Sequence, residues 1–186
     1  MKNDINTFKR KKDLIRTVKG GTVHTPNNTN MFGLDIGTVI LIENNSFVIT
    51  EKFKYEEIKK KTKKKTGYNW EEYSITSVND PLITWFLEVE MDDKLYISLT
   101  KEKFNASKLE KVNNKIVSYN GTRYYLDEKS TAICTKFSNN ESWTVTMEDF
   151  ESDDDAMLSI ETWEDSDTEE AYFYTEVAYC VKFLKS

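Results

Sequence analysis

Apolar and polar residues alternate with a period of two along most of the chain from residue 31 onward. In the first half, β-branched and aromatic residues recur in short runs that turn residues separate, such as Asn44-Asn45 and Asn79-Asp80-Pro81. This alternation is typical of β-strands that bury one face. The strands that it predicts cover residues 38–42, 46–54, 68–78, 83–90 and 94–99. Consecutive hairpin-like runs of this kind predict an antiparallel meander.

The second half of the chain repeats this plan loosely. Residues 115–119 and 122–126 flank Asn120-Gly121, a dipeptide that strongly favours a two-residue hairpin turn, and they mirror the first hairpin. Two further local matches join the halves, namely 143–147 with 85–89 and 157–161 with 96–99. The matches come at different offsets, so they indicate two related halves and not a regular repeat array.

The fold class that these patterns predict is mainly β, with antiparallel meanders in two loosely repeated β-rich halves. The halves are expected at about 31–106 and 113–186. Their arrangement is expected to be barrel-like or sandwich-like. The sequence alone leaves open whether they form one continuous sheet, two small barrels or a sandwich.

A basic segment precedes the β-rich body. Residues 1–20 predict a short helix, and residues 21–30 have the Gly, Thr, Pro and Asn content of a linker. We therefore assign residues 1–30 to a basic N-terminal arm and linker, and residues 31–186 to the body. One aromatic residue beside four cations would suit an anionic membrane surface or an acidic partner: Phe8, Lys9, Arg10, Lys11 and Lys12. A charged tail without fixed structure is the alternative.

Charge is distributed unevenly along the chain. The sequence holds 26 Lys and Arg against 32 Asp and Glu, for a net charge of −6. Residues 137–176 contain no basic side chain, whereas residues 59–65 are mostly lysine. Such asymmetry favours a charged protein partner. Nucleic acid is disfavoured as a partner, because the chain is acidic overall and the lysine run has no interleaved aromatic residues on which bases could stack.

Few residues are available for catalytic or metal chemistry. His24 is the single histidine, and Cys134 and Cys180 lie far apart in the sequence. A zinc site of the usual ligands and a histidine-dependent triad are therefore disfavoured. No apolar run approaches the roughly 20 residues of a membrane helix, and no export signal is recognisable. We expect a cytoplasmic protein with reduced cysteines, no transmembrane segment, no metal or other cofactor, and no enzymatic activity.

Aromatic and acidic residues on the predicted strands are the remaining candidates for a site. The candidate binding surface comprises Tyr68, Trp70, Glu72, Trp85 and Trp163. Core packing is the alternative for its aromatic members, because sheets favour aromatic residues. Strand carboxylates would serve a small-molecule-binding or hydrolytic domain, and the candidates for that role are Glu71, Glu72, Glu88, Glu90 and Glu161.

Six short motifs occur in a fixed order along the body. They are Gly37, Phe47-Val48-Ile49, Tyr68-x-Trp70-x-Glu72-Tyr73, Trp85-Phe86-Leu87-Glu88-Val89-Glu90, Tyr119-Asn120-Gly121-x-x-Tyr124-Tyr125-Leu126 and Leu158-Ser159-Ile160-Glu161-x-Trp163. Through these motifs, about residues 34–186 resemble a bacterial family known as domain of unknown function 4178.

The resemblance implies a small, β-rich, cytosolic bacterial protein with no assigned activity or catalytic residues. Some members of the family are encoded near membrane stress proteins that resemble phage-shock protein A. This association implies an accessory role at the inner face of the membrane. The leading hypothesis is therefore a non-enzymatic accessory or interaction protein, and the alternative is a small-molecule-binding or hydrolytic β domain with a strand carboxylate site.

Overall fold

The computed structural model describes residues 9, 11–13, 15, 22–25, 27, 31–177 and 180–185 of the chain. Strands make up most of the described backbone, and a short helix lies near the N-terminus. The prediction of a mainly β fold is therefore confirmed. No described helix is both long enough and apolar enough to cross a membrane.

Thirteen strands follow one another along the described chain. They are β1 (Thr22–His24), β2 (Val39–Ile42), β3 (Asn45–Ile58), β4 (Lys65–Ser77), β5 (Thr84–Met91), β6 (Leu95–Asn105), β7 (Glu110–Asn113), β8 (Ile116–Tyr119), β9 (Thr122–Lys136), β10 (Ser142–Ser152), β11 (Met157–Trp163), β12 (Glu169–Glu176) and β13 (Val181–Lys185). A single turn of 3₁₀-helix, Ala106–Lys108, follows β6.

Eight of these strands close into one antiparallel barrel in the order β3-β4-β5-β6-β12-β11-β10-β9. The ring closes because the second half of β3 pairs with the second half of β9, from Phe53 opposite Lys136 to Glu57 opposite Ala132. The remaining strands extend the wall: β2, β13 and β1 lie beyond β3, and β8 and β7 lie beyond β9. Strands from both halves of the chain therefore share a single barrel.

Each of the two longest strands, β3 and β9, has a β-bulge. The bulge explains how one edge of the strand pairs with two different strands. The register of β3 against β4 skips Thr50, and the register of β9 against β10 skips Asp127. A bulge bends a strand and increases its twist. The part before each bulge pairs with the extending strand β2 or β8, and the part after it closes the barrel.

The two halves of the chain supply equivalent strands. Each starts with a hairpin, in which Ile42 pairs with Asn45 in the first half and Tyr119 pairs with Thr122 in the second. The following strands pair in the same order, β2-β3-β4-β5-β6 and β8-β9-β10-β11-β12. By position in this order, β4 corresponds to β10, β5 to β11 and β6 to β12.

This correspondence contradicts two of the three sequence matches. Residues 85–89 lie on β5 and residues 143–147 on β10, which corresponds to β4. Residues 96–99 lie on β6, whereas residues 157–161 lie on β11, which corresponds to β5. Both matches are wrong because alternating aromatic and β-branched residues recur on every strand. Which strands of the two halves are equivalent depends on the order in which they pair in the sheet, and similarity between short segments carries no information about that order.

Apolar cores pack on one face of the barrel wall, one core in each half. The first is built around Ile75 on β4 and Leu87 on β5, with Phe183 of β13 packed onto them. The second is built around Phe150 on β10 and Leu158 on β11. Successive strand residues point to opposite faces. The residues between these apolar side chains therefore face the enclosed interior of the barrel.

The described residues nearest the N-terminus are attached to the body. Residues 22–24, which composition places in a linker, form β1 and pair with β13, and the His24 ring stacks on that of Phe183 at 5.4 Å. That part of the linker prediction is wrong, because three residues with extended backbone suffice to add a strand to an open edge. In the helix, the Lys11 ammonium donates to the Thr84 hydroxyl at 2.7 Å.

Candidate binding site inside the barrel

Four carboxylates face the interior from four different strands. They are Glu72 on β4, Glu88 on β5, Asp149 on β10 and Glu161 on β11, and we call them the interior carboxylates. Glu72 lies directly opposite Glu88 in the β4–β5 ladder. Because β4 and β5 lie across the ring from β10 and β11, these side chains can approach one another only through the barrel interior.

One buried lysine joins two of these carboxylates. The Lys103 ammonium of β6 lies 3.1 Å from Glu161 Oε2 and 3.6 Å from Glu72 Oε2. It also lies 4.9 Å from the ring centroid of Phe86 and 4.8 Å from that of Tyr172. Two anions and two aromatic faces therefore surround this ammonium, which offsets its loss of hydration.

Glu161 receives two further hydrogen bonds. The Tyr172 hydroxyl donates to Glu161 Oε1 at 3.1 Å, and the Trp163 indole N–H donates to Oε2 at 3.2 Å. The Glu161 residue is only 1% exposed, so these donors replace the water that it has lost. Glu161 is consequently the most fully satisfied of the interior carboxylates.

The other side of the interior has an excess of negative charge. No ion pair joins Glu88 or Asp149 to a basic residue in the described part of the chain. Burial, followed by the nearby Glu72 and Glu90 carboxylates, raises the pKa of Glu88 well above its ordinary range. Burial also raises the pKa of Asp149 to about 6. The Ser159 hydroxyl opposes this rise, and the neighbouring carboxylates add to it.

The pKa values around Lys103 follow from the same balance. Burial alone would lower the pKa of the Lys103 ammonium, but Glu72 and Glu161 outweigh it and raise the pKa. Burial raises the pKa of Glu72 despite the opposing effect of Lys103, and Glu161 raises it further. The interior therefore stabilises the ammonium form of this lysine and holds more acid than its own cation neutralises.

A buried hydroxyl without a partner lies beside this excess of acid. Ser159 on β11 is 1% exposed, and its Oγ makes no hydrogen bond to any described residue. The register places Ser159 opposite Asp149 on one side and opposite Tyr172 on the other. Its hydroxyl lies close enough to the Asp149 carboxyl and to the Tyr172 hydroxyl to lower the pKa of each, although its geometry with either one falls short of a full hydrogen bond.

Residues 35–175 match the model of a protein family described as Domain of unknown function (DUF4178). This chain belongs to that family. The matched residues include seven complete barrel strands and all of β12 except its last residue, whereas β1 and β13 lie outside the match. No curated protein and no solved structure matches the chain.

The DUF4178 barrel brings together four of the five residues of the predicted binding surface. Trp70 is buried in the apolar part of the interior, and its ring stacks on that of Tyr55 at 5.1 Å. Tyr68 and Trp163 pack against the same cluster, and Glu72 faces the interior from the same strand as Trp70. These aromatic side chains therefore pack in the barrel interior.

The fifth residue, Trp85, lies on the other face of the wall. Its ring packs 4.5 Å from that of Phe47 in the first apolar core. Trp85 is therefore separated from the interior side chains of the DUF4178 barrel. Successive strand residues point to opposite faces, and Trp85 is an odd number of residues from Phe86 and Glu88. Since those two side chains face the interior, Trp85 faces the other way.

The predicted strand carboxylates also divide between the interior and the outer face of the barrel wall. Glu72, Glu88 and Glu161 converge inside the barrel, and Glu90 accepts a hydrogen bond from the Tyr68 hydroxyl. Glu71 points to the opposite face, where it pairs with the Lys52 ammonium at 2.9 Å. Glu71 also accepts the backbone N–H of Gly33 at 2.7 Å, so it fastens the segment before β2 to the barrel.

Sequence reasoning missed Lys103, Asp149 and Ser159. Lys103 resembles its exposed neighbours Lys101 and Glu102 and shows no apolar alternation that would mark it as interior. Asp149 lies within residues 137–176, which were singled out in the sequence only for their lack of basic side chains. The only local signal for Asp149 is its position two residues from the apolar Met147, which faces the same side of β10.

The charged segments singled out in the sequence lie on the surface. The lysine run at 59–65 forms the exposed turn between β3 and β4, where Lys65 pairs with Glu56 at 2.8 Å. In the arm, Lys9 and Lys12 are exposed and Lys11 is half-buried. Phe8 and Arg10, the other predicted contacts, lie outside the described residues.

Proposed function

We propose that this DUF4178 protein acts by binding and not by catalysis, and that its barrel receives a positively charged group. The observation that supports this proposal is the convergence of Glu72, Glu88, Asp149 and Glu161 on an interior with a single described cation, Lys103. Buried carboxylates that lack a counter-ion are costly, so an incoming cation would relieve that cost. The proposal combines the non-enzymatic hypothesis with the small-molecule-binding alternative.

The arrangement favours binding over hydrolysis. A typical glycoside hydrolase needs one protonated acid and one free carboxylate on either side of the glycosidic bond. Glu72 and Glu161 are instead paired with the same ammonium, and Glu161 accepts three donors. Burial raises the pKa of the nearby Cys134 thiol to about 12, so this cysteine is a poor nucleophile at neutral pH.

A panel of small ions provides the test of this function. Choline, putrescine and methylammonium, with neutral butanediol and sodium chloride at matched ionic strength, would be added to the full chain during thermal unfolding. We expect at least one organic cation to raise the unfolding midpoint in a saturable way, because it binds only the folded state. Equal midpoints with every organic cation and with sodium chloride would overturn the proposal.

A second candidate function is that of a cytoplasmic accessory protein that contacts a protein partner or the inner membrane face through its arm. The observation that favours it is the Lys11–Thr84 hydrogen bond, which seats the helix on the barrel while Lys9 and Lys12 remain exposed. Each cation near an anionic surface contributes about 1 kcal/mol. A weak, salt-sensitive attachment is the expected result.

Co-sedimentation with vesicles of phosphatidylglycerol and phosphatidylcholine tests this second function. We expect binding at low salt that falls severalfold in a Lys9→Gln/Lys12→Gln variant. The matched control is Lys60→Gln/Lys61→Gln, which removes two exposed lysines from the β3–β4 turn. Absence of wild-type binding, or an equal loss in both variants, would contradict a role for the arm.

A further inference from the structure

The Lys103 site shows how this barrel holds an ammonium ion. Its central anion is Glu161 on β11, and its aromatic walls are Phe86 on β5 and Tyr172 on β12. Because the two halves supply equivalent strands in the same order, each of these positions has a counterpart in the other half. Comparing the surroundings of Lys103 with their counterparts in the other half shows which groups lie at this second position.

The registers identify the counterpart of Glu161. Tyr55 and Ala132 lie equally far along β3 and β9 from their hairpin turns, and they face Trp70 and Val145 respectively. Across the next ladders, Trp70 faces Glu90, and Val145 faces Trp163. Glu90 therefore corresponds to Trp163. Two residues earlier on each strand, the counterpart of Glu161 is Glu88.

The counterpart of Lys103 is not a cation. Two residues before Glu88 and Glu161 stand Phe86 and Ser159, which face Thr100 on β6 and Tyr172 on β12. Lys103 follows Thr100 on β6, and the corresponding stretch of β12 after Tyr172 is Phe173-Tyr174-Thr175. The second position thus keeps one acid, Glu88 in place of Glu161, but lacks the lysine. It has Met147, Ser159 and Thr100 where the first position has Glu72, Phe86 and Tyr172.

Two carboxyl groups and one hydroxyl define this second position, and the Tyr174 hydroxyl on β12 lies near both carboxyls. The Asp149 carboxyl faces Ser159 across the β10–β11 ladder, and it interacts electrostatically with the Glu88 carboxyl. The Ser159 hydroxyl, buried to 1% exposure, has no hydrogen-bond partner among the described residues. As whole residues, Glu88 and Asp149 are half-buried.

The chemistry of the ligand follows from this set of groups. A primary ammonium ion carries three N–H donors and no acceptor, and two carboxylates with one hydroxyl supply three acceptor groups, one for each N–H. A quaternary ammonium has no N–H to donate. A metal ion is disfavoured, because the described residues contain no group of three or more His, Cys, Asp or Glu that could hold one.

We infer that Glu88, Asp149 and Ser159 form a second ammonium site in the barrel, which takes the primary ammonium group of a small ligand. Glu88 and Ser159 lie at the positions that correspond to Glu161 and Phe86 beside Lys103, and Asp149 adds a second carboxyl from β10. This inference rests on the proposed binding function and specifies its ligand class and its residues. Lys103, held by Glu72 and Glu161, is the built-in example of the same recognition.

Methylammonium chloride is the probe for this site, since it matches the end of a lysine side chain. Thermal unfolding of the full chain at pH 7.5 would be followed with increasing methylammonium, against tetramethylammonium at the same ionic strength. We expect a saturable rise in the midpoint with methylammonium alone. A wild-type midpoint that does not respond to methylammonium, or that responds equally to tetramethylammonium, would overturn the inference.

Isosteric variants show which residues the response to methylammonium depends on. Glu88→Gln and Asp149→Asn are expected to weaken the apparent affinity for methylammonium at least tenfold, and Ser159→Ala severalfold. Asp153→Asn, an exposed change in the β10–β11 turn, is the matched control and should leave the affinity unchanged. The midpoint of each variant without ligand reports whether it folds, and Glu88→Gln should fold because it removes a buried repulsion without changing shape.

The failure of this inference is distinguishable from the failure of the proposed function. If Glu88→Gln and Asp149→Asn bind methylammonium as tightly as the wild type does, the site lies elsewhere and the binding function stands. If choline raises the midpoint and methylammonium does not, the barrel binds cations but the primary ammonium class is wrong. If no organic cation in the panel raises the midpoint, both proposals fail.

Discussion

At the scale of single residues, Lys103 has the largest electrostatic role in the barrel. Its ammonium is 14% exposed at the side chain and is shared by two carboxylates that are 7% and 1% exposed. Removing one partner of a buried ion pair leaves the other charges without compensation. The stability of the barrel should therefore depend on this one side chain far more than on any surface lysine.

Replacing Lys103 by methionine tests this dependence. We expect Lys103→Met to lower the free energy of unfolding by about 3–5 kcal/mol, because Glu72 and Glu161 are left buried without a counter-ion. Urea denaturation at pH 7 measures the change. Lys115→Met, an exposed substitution in the β7–β8 turn, should change stability by at most about 0.5 kcal/mol. A Lys103→Met variant as stable as this control would contradict the ion-pair network.

Ser159 should respond to mutation in the opposite direction. Its buried hydroxyl makes no full hydrogen bond to any described residue, so Ser159→Ala is expected to leave the unfolding free energy unchanged or to raise it by about 1 kcal/mol. Ser152→Ala is the matched control, because the Ser152 hydroxyl, also buried, accepts the backbone N–H of Ala156 at 3.0 Å. That control should lose about 1 kcal/mol. A loss in Ser159→Ala of the same size would show that Ser159 is already hydrogen-bonded.

At the scale of strands and turns, the sequence predicted local features well. Alternation located most of the strands, and Asn120-Gly121 marked a real two-residue turn between β8 and β9. Both residues have positive φ angles, 50° and 85°, which a hairpin turn of the I′ type requires. Such features depend only on residues that are neighbours in the chain, so a pattern can reveal them.

Gly121 provides the corresponding test. We expect Gly121→Ala to destabilise the protein by about 1 kcal/mol, because alanine at a φ of 85° is strained even though no atom lies within 4 Å of its added Cβ. Chemical denaturation measures this loss. An unchanged stability would mean that the β8–β9 hairpin relaxes out of its I′ turn at no cost.

The bulges and the closure of the barrel were not predictable from local patterns. The skipped residues Thr50 and Asp127 are polar residues in otherwise alternating strands, and nothing in their identity distinguishes a bulge from an ordinary exposed position. Yet each bulge allows one strand to pair with an extending strand before the bulge and with the closing strand of the barrel after it. The pairing of β3 with β9 joins residues about 80 positions apart, and alternation carries no information about such partners.

At the scale of the whole molecule, barrel closure determines which carboxylates meet. Glu72, Glu88 and Glu161 were candidates because they lie on predicted strands, but only the ring order places them in one interior. Asp149 joins them from residues 137–176, a segment singled out in the sequence only for its lack of basic side chains. Family membership adds no assigned activity to this picture, so the functional argument depends on the charge enclosed by the barrel.

The carboxylates inside the barrel make the stability of the protein depend on pH. The pKa of Asp149 is raised from 3.8 to about 6, so the folded state binds this proton more tightly than the unfolded state does. The resulting stabilisation is fully present below about pH 4 and is lost as the pH rises through 6. It amounts to at most about 3 kcal/mol, since one pKa unit corresponds to about 1.4 kcal/mol.

Denaturation at several pH values between 4 and 7.5 measures this contribution. The unfolding free energy of the wild type minus that of Asp149→Asn should fall across this interval. The Asp153→Asn control should track the wild type, because its exposed carboxyl lies in a solvated turn. A difference that does not vary with pH would show that Asp149 titrates alike in the folded and unfolded states.

The central claim is that an excess of buried acid makes the barrel interior a receptor for an organic cation. The most direct test is a carbon-13 NMR titration of the Asp149 side-chain carboxyl, with and without saturating methylammonium. The claim predicts a titration midpoint near 6 for the free protein and a clearly lower midpoint with methylammonium, because a neighbouring cation favours the carboxylate. An identical midpoint in both samples would contradict it.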